Sequence, residues 1–280
     1  MYFLIKQELQ FLFVFISILL LVLHSLPLLA QRCSHTVFFG NPYSEYARMY
    51  PLLNLESRHP RTSILDCPGG TSTFTKHARK LGFQAVSADI QYSNRKSFLV
   101  DLSAKCFEEV VRYGKYPLSR PVAEFRASRA DFFSDYLIRI RNREYIFAAL
   151  PDLPFDESSF DIVLSGHLLF MYPSTPNLSY LRELLRVTKH ELHIYPLGRY
   201  DPNPQAAGTK SNQYQDVFDA ISKEHPLLQI ALYNTSYPFH EFGAVVTKSS
   251  SRVSHAKRKD MTNGGVKEIW ELYQTVVPNR

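Results

Sequence analysis

Between residues 61 and 248, short apolar runs alternate with stretches in which apolar residues recur at helical spacing. That alternation is the pattern of a parallel sheet whose strands are joined by crossover helices. Strands are predicted over 62–66, 84–89, 144–149, 160–165 and 190–197, and helices over 73–81 and 178–188. The first helix stops at Gly82, a residue that readily takes the left-handed conformation of a helix end. Two last runs, 229–233 and 243–247, read as a closing hairpin-like pair. Residues 91–142 are less regular and insert-like, with one helix predicted over 122–138 and an apolar stripe of Phe125, Phe132, Phe133 and Tyr136. Residues 266–277 (VKEIWELYQTVV) have amphipathic helical spacing, with Ile269, Trp270 and Tyr273 on one side. There is no internal repeat and no low-complexity tract.

One segment departs from this pattern. Residues 11–30 (FLFVFISILLLVLHSLPLLA) carry no formal charge over a length that can cross a bilayer as a helix. The segment is apolar all round, and a core helix of the domain is not expected here. Two readings remain. As an uncleaved single-pass anchor it attaches the protein to a membrane through residues 11–30. Lys6 before it, and Arg32 and Arg48 after it, then favour a cytosolic domain. As a signal peptide it is cleaved near Ala30 and sends the protein into the secretory pathway; Leu28 fits poorly the small residue expected two positions earlier. The chain thus divides into a hydrophobic anchor or signal over 1–32, a lead-in over 33–60, one α/β domain over 61–248 and a tail over 249–280.

Composition adds bounds. Of the 280 residues, 45 % are apolar and 21 % charged, which suits a globular chain with one sizeable core. The net charge is +6, and half of it sits in the tail, where six basic residues face three acids. A basic tail of that size is a solvated end or a weak contact for an anionic surface. Cys33, Cys67 and Cys106 form no C-x-x-C pair, so neither a zinc site nor a closed disulfide framework is expected. His77, His190 and His193 have no metal-like constellation around them.

The candidate chemistry lies in residues 64–72 (ILDCPGGTS). A glycine-rich turn between strand and helix lets backbone approach a ligand closely. Asp66 at the strand end would repel a pyrophosphate and suits an ammonium or sulfonium group. Pro68 and Ser72 stand where a dinucleotide fingerprint has glycine. A second acid, Asp89, closes the next strand 23 residues later, a separation suited to accepting hydrogen bonds from ribose hydroxyls.

Residues 64–72 resemble motif I of the class I S-adenosylmethionine-dependent methyltransferases, and Asp89 resembles their ribose-binding acid. Residues 153–155 (LPF) with 159–163 (SFDIV) are similar to the family's passage into its fourth strand, and 181–189 (LRELLRVTK) to its helix before the fifth. The resemblance covers roughly residues 60–248. It implies a seven-stranded, doubly wound, mostly parallel α/β sheet of the Rossmann-like type and S-adenosyl-L-methionine as methyl donor. Asp66, Gly69, Gly70 and Ser72 would hold the methionine part and Asp89 the ribose. The family's adenine-binding acid falls at Ala149, so backbone amides of Ala149 and Leu150 would serve instead. The Pro-Gly-Gly turn before the fifth strand is also missing and is expected to be shortened to residues 189–191.

Ser165, Gly166 and His167 begin at the carboxyl end of the fourth strand, the edge that faces the crevice in an open sheet. His167 is either a general base or a histidine that bonds backbone and shapes the pocket; Tyr172 is a secondary candidate whose other role is core packing. Arg120, Arg126, Arg129, Arg139, Arg141 and Arg143 either bind an anionic substrate or solvate a helix face. The expected function is methyl transfer to a small-molecule or lipid-associated acceptor, with no recognisable nucleic-acid-binding module. A non-catalytic binding or scaffold protein on the same fold is the rival from another class. A nicotinamide-dependent oxidoreductase is the rival enzyme, disfavoured by Asp66.

Overall fold

The computed structural model describes residues 40–92, 96–113, 121–171, 175–198, 213–235 and 242–248. The chain divides into two units, Met1–Val37 and Phe38–Arg280, and every described residue belongs to the second. The apolar segment over 11–30, Tyr172, Arg120 and the expected helix over 266–277 lie outside the described residues. Among the described residues, no helix is long and apolar enough to cross a membrane.

Seven strands form one sheet: β1 (Ser63–Asp66), β2 (Gln84–Asp89), β3 (Tyr145–Phe147), β4 (Phe160–Gly166), β5 (Thr188–Tyr195), β6 (Leu228–Asn234) and β7 (Phe242–Lys248). Their order is β3-β2-β1-β4-β5-β7-β6. The first five are parallel, and β7 runs antiparallel to both β5 and β6. The 3-2-1-4-5 order is that of doubly wound nucleotide-binding sheets, here closed by an antiparallel pair. This is the seven-stranded, mostly parallel sheet that the resemblance implies. The order reverses between β1 and β4, and ligands bind outside the carboxyl ends of strands at such a point.

Among the described residues, six α-helices flank the sheet: α1 (Tyr43–Met49), α2 (Phe74–Lys80), α3 (Lys96–Tyr113), α4 (Val122–Arg139), α5 (Asn177–Val187) and α6 (Gln213–Glu224). Because both faces are covered, β1 and β4 bury successive residues on opposite sides and read as continuous apolar runs. Ile64, Ile162 and Leu164 pack with Tyr46, Met49, Tyr50, Leu53, Phe74 and Ala78 on one face. Leu65, Val163, Leu192 and Ile194 pack with Leu181, Leu184, Phe218 and Ile221 on the other.

Four expectations need correction. Residues 91–142 hold two helices of eighteen residues, α3 and α4, not one. The buried stripe of α3 is Leu99, Ser103, Cys106 and Phe107, and half of it is too small or polar to register as apolar. α6 was also unforeseen, although Phe218 and Ile221 anchor it one turn apart. Before β5 no shortened turn exists, and residues 189–191 lie within the strand. Thr188 ends α5 and begins β5 at once, its hydroxyl donating to Leu184 O at 2.7 Å, so the side chain does the work of a turn. Finally, Cys106 is disulfide-bonded while Cys67 is a buried free thiol. An odd cysteine count accommodates one bridge plus one buried thiol, and spacing carries no signal for a single bridge.

The lead-in is not a mere linker. Arg58 makes a bidentate pair with Glu191 on β5, both contacts at 2.7 Å. Burial would raise the Glu191 carboxyl, yet hydrogen bonds from His193 and Arg58 hold it at about 2. On the far side, Tyr233 of β6 donates to Met49 O at 3.1 Å. Its ring lies against Gly243, its register partner on β7, where a Cβ would come within 2.4 Å of the ring. Gly243→Ala is therefore expected to push the ring aside and destabilise the domain by about 1–3 kcal/mol, the usual range for overpacking. Denaturant midpoints compared with Tyr233→Phe, which loses only the hydroxyl bond, check it; an unchanged midpoint for the alanine variant would refute the close-approach argument.

Candidate functional site

β1 delivers Asp66 to the carboxyl edge of the sheet, and residues 67–72 then turn into α2. The loop is laced to its neighbours through the backbone: Cys67 N–H donates to Leu164 O at 2.9 Å, and Gly69 N–H to Ala88 O at 3.0 Å. Gly69 is required for packing, since a Cβ there would stand 1.7 Å from Ser87 Oγ. Gly70 has φ +53°, a left-handed conformation that glycine takes without strain. Its N–H donates to Asp89 Oδ2 at 2.9 Å, and its carbonyl accepts from the Tyr92 hydroxyl at 2.7 Å. The other Asp89 oxygen, Oδ1, accepts the Gln91 N–H at 2.8 Å. Asp89 thus clamps the glycine turn to the end of β2, and each oxygen keeps a second lone pair. Burial pushes its carboxyl up to about 6, against the lowering effect of the Gln91 and Gly70 bonds. Directly after it, Ile90 is 51 % exposed, a large apolar side chain beside a buried acid.

Asp66 is 1 % exposed. Its Oδ2 accepts the Tyr46 hydroxyl at 2.8 Å, while Oδ1 has no partner among the described residues. Burial pushes this carboxyl up to about 7, against the Tyr46 bond, and the charge of Asp89 adds to the rise. The Tyr50 hydroxyl, on the same face, is likewise buried without a partner. It lies over Gly166, where a Cβ would be 2.9 Å away. Gly40 passes so close above the loop that a Cβ would meet the Ser72 nitrogen at 2.0 Å, and Tyr43 N–H donates to Thr73 Oγ1 at 3.0 Å. Residues 40–50 therefore roof the Asp66 side of the turn.

The residues expected from sequence converge at this edge, but their environments differ. Ser72 is buried and its Oγ accepts the Phe74 N–H at 2.9 Å, so its hydroxyl helps open α2. Ala149 and Leu150 are half-buried just past β3, whose Phe147 pairs with Asp89. Ser165 is fully buried with an unpartnered Oγ, and strand alternation puts it with Val163, on the face away from Asp66. Gly166 ends β4 under Tyr50. His167 has a left-handed backbone, φ +56°, uncommon outside glycine. Its N–H donates to Tyr195 O at 2.7 Å and its Nε2 lies 3.3 Å from Met49 Sδ. Of the α4 arginines, Arg139 pairs with Asp135 and Glu144, Arg126 with Glu108, and Arg129 lies over the Phe107 ring. No group of three His, Cys, Asp or Glu suited to a metal occurs among the described residues.

Sequence reasoning missed the roof. Tyr43, Tyr46 and Tyr50 recur at positions i, i+3 and i+7, a helical stripe short enough to pass as part of a lead-in. It also missed Tyr92, whose hydroxyl joins Ser87 to the glycine turn.

No protein-family model matches the chain. An uncharacterized protein of Methanocaldococcus jannaschii is 28 % identical over 181 residues, covering 58 % of this chain and 78 % of the archaeal one. A SAM-dependent methyltransferase from Aquifex aeolicus has a TM-score of 0.40 at 13 % identity, covering 73 % of this chain and 93 % of that one. The magnesium protoporphyrin IX methyltransferase of Synechocystis, solved with bound SAM, scores 0.38 at 16 % identity, covering 74 % and 77 %. Both structural likenesses are weak.

The buried acids set a pH dependence. A carboxyl raised by folding from about 3.8 to about 7 favours the folded state most when protonated. That contribution is full below pH 3.8 and is lost as pH rises through 7. Asp66→Asn keeps an acceptor for Tyr46 but cannot ionise. The wild type is expected to lose stability on the order of a few kcal/mol between pH 4 and pH 7 relative to this variant. Urea titrations of both proteins across that range test it, and parallel curves would contradict it.

Proposed function

We propose that this chain binds S-adenosyl-L-methionine as methyl donor along the carboxyl edge of β1, β2 and β4, and transfers the methyl group to a small-molecule acceptor. The observation that carries the reading is the clamp at Asp89: a buried carboxylate that closes β2 and holds the Gly70 amide of the glycine turn at 2.9 Å. The residues present fit that donor. Asp89 keeps a free lone pair on each oxygen for ribose hydroxyls, Ile90 offers an exposed apolar surface for a purine face, and Asp66 has a buried, unpartnered oxygen for an ammonium group. Bound there, the donor supplies an electrophilic methyl on a sulfonium, which needs alignment more than strong acid–base help.

The protein's own contributions are then positional. The laced backbone of residues 67–72 fixes the turn, and the roof of Tyr46, Met49 and Tyr50 excludes water from the Asp66 side. His167 takes the proton from an acceptor that must lose one; otherwise it holds the β4 end through Tyr195. A nicotinamide dinucleotide suits the edge poorly, because Asp66 would face its pyrophosphate. The scaffold reading draws on the roof itself, since Asp66 is nearly inaccessible beneath it.

Titration of the purified protein with S-adenosylhomocysteine and with NADH separates the cofactor readings, and binding of the first alone is expected. Asp89→Ala should weaken that binding at least about tenfold, since losing one charge-assisted hydrogen bond removes about 1.5–3 kcal/mol. Asp89→Asn should weaken it less, because the amide oxygen still accepts. Circular dichroism confirms that the variants remain folded. Equal affinities in folded variants would overturn the cofactor assignment. Failure of a labelled methyl group to reach any of a panel of small-molecule acceptors, with binding intact, would favour the scaffold.

A further inference from the structure

Tyr50 stands at the carboxyl end of α1 and is 1 % exposed. Its backbone is bonded through both groups: the N–H donates to Tyr46 O at 2.8 Å, and the carbonyl accepts the Leu53 N–H at 3.0 Å. Its ring is held beside Tyr46, 5.7 Å between centroids, with His193 and Tyr195 set edge-on at 6.1 and 6.3 Å. Only the hydroxyl is left over, buried and without a hydrogen-bond partner among the described residues. Phenylalanine would serve the packing better, because a buried hydroxyl that bonds to nothing costs stability.

The strand below defines where that hydroxyl sits. It lies over Gly166, where a Cβ would come within 2.9 Å. Leu164, two residues earlier on the same face of β4, is the register partner of Asp66. The Tyr50 hydroxyl and the unpartnered Oδ1 of Asp66 thus share one face of adjacent strands, where the strand order reverses. One is a neutral proton donor and the other a carboxylate acceptor. Burial, and after it the charge of Asp66, holds the hydroxyl well above its ordinary pKa, so it stays protonated.

We propose that the Tyr50 hydroxyl anchors the α-carboxylate of the bound methyl donor and completes, with Asp66, a subsite for a zwitterionic α-amino acid group. The inference rests on the reading of this edge as an S-adenosyl-L-methionine site. In that ligand one carbon carries both the ammonium and the carboxylate, so a site that takes the first has the second close by. A neutral hydroxyl suits the place, because a lysine or arginine there would pair with Asp66 and cancel the acid that the ammonium needs. Tyr46 cannot take this role, since its hydroxyl already donates to Asp66 Oδ2 at 2.8 Å.

The test measures binding and folding of the full chain. Calorimetry uses two probes: S-adenosylhomocysteine, which keeps the amino acid group, and methylthioadenosine, which keeps the nucleoside and thioether without it. Wild-type protein is expected to bind the first more tightly. Tyr50→Phe should weaken S-adenosylhomocysteine at least about tenfold, the scale of a hydrogen bond to a charged group, and leave methylthioadenosine unchanged. Its urea midpoint should equal or exceed that of the wild type, whereas Tyr46→Phe, which loses the bond to Asp66, should fall below it. A lowered midpoint for Tyr50→Phe would mean that the hydroxyl serves the fold and would overturn the proposal. So would an unchanged affinity for S-adenosylhomocysteine, or a loss shared by both probes. If the wild type takes both probes equally, the amino acid subsite falls while the nucleoside site stands. If it takes neither, the proposed function falls and the inference with it.

Discussion

A carboxyl group buried at the end of the central strand is the constraint around which this domain is arranged. β1 has neighbours on both sides, so Asp66 reaches the sheet edge with only 1 % exposure and must find a donor within the protein. Tyr46 supplies it at 2.8 Å. That one bond explains why a seven-residue helix, too short to be stable alone, sits where it does. α1 is held by a buried hydrogen bond at Tyr46, by the stacking of Tyr46 on Phe74, and by the Tyr233 hydroxyl at Met49 O. The Arg58–Glu191 pair then ties the following segment to β5. The lead-in is thus part of the domain because the sheet needs its tyrosines.

The second acid works differently. Asp89 satisfies backbone amides on both sides of its strand end, so its burial buys rigidity in the turn rather than a docked helix. Two raised carboxyls close enough to feel each other are a standing electrostatic penalty in the absence of a cation. Each acid also has a structural use, since Asp66 anchors Tyr46 and Asp89 accepts an amide on each oxygen where asparagine offers only one acceptor atom. On the proposed function the pair has a further use, facing the positive charge of the donor.

Much of this was legible in the sequence where the physics is local. The strand–turn–helix of residues 64–72 announced itself through an apolar run, two glycines and a helical stretch. β2 and β4 have their expected positions because buried parallel strands leave unmistakable apolar runs. What stayed hidden depends on distant partners. The stripe of α3 is masked by Ser103 and Cys106, polar or small residues that are buried only because α3 lies against a neighbour. Thr188 gives no hint that its hydroxyl will replace a turn. Asp66 and Asp89 were readable as acids at strand ends. That Tyr46 roofs one while Gly70 and Gln91 clamp the other was not, since those bonds span 20 and 19 residues in the long-range cases.

The two acids leave the site asymmetric, and the asymmetry bears on how a ligand would enter. On the Asp89 side, Ile90 is 51 % exposed next to the buried carboxylate, whose two oxygens each keep a lone pair. On the Asp66 side, Tyr46 occupies one oxygen and residues 40–50 cover the rest. A donor with a nucleoside at one end and an ammonium at the other could therefore seat its nucleoside first, on surface already formed. Engaging Asp66 requires the roof to yield, and a hydrogen bond to a charged group is worth about 1.5–3 kcal/mol. An ammonium ion opposite a carboxylate can offset a loss of that size, whereas a neutral analogue cannot. The same contact also lowers the Asp66 carboxyl towards its ordinary range and so relieves the penalty of burial. On the proposed function, the closed roof would thus admit a cationic ligand and stand as a barrier to a neutral one.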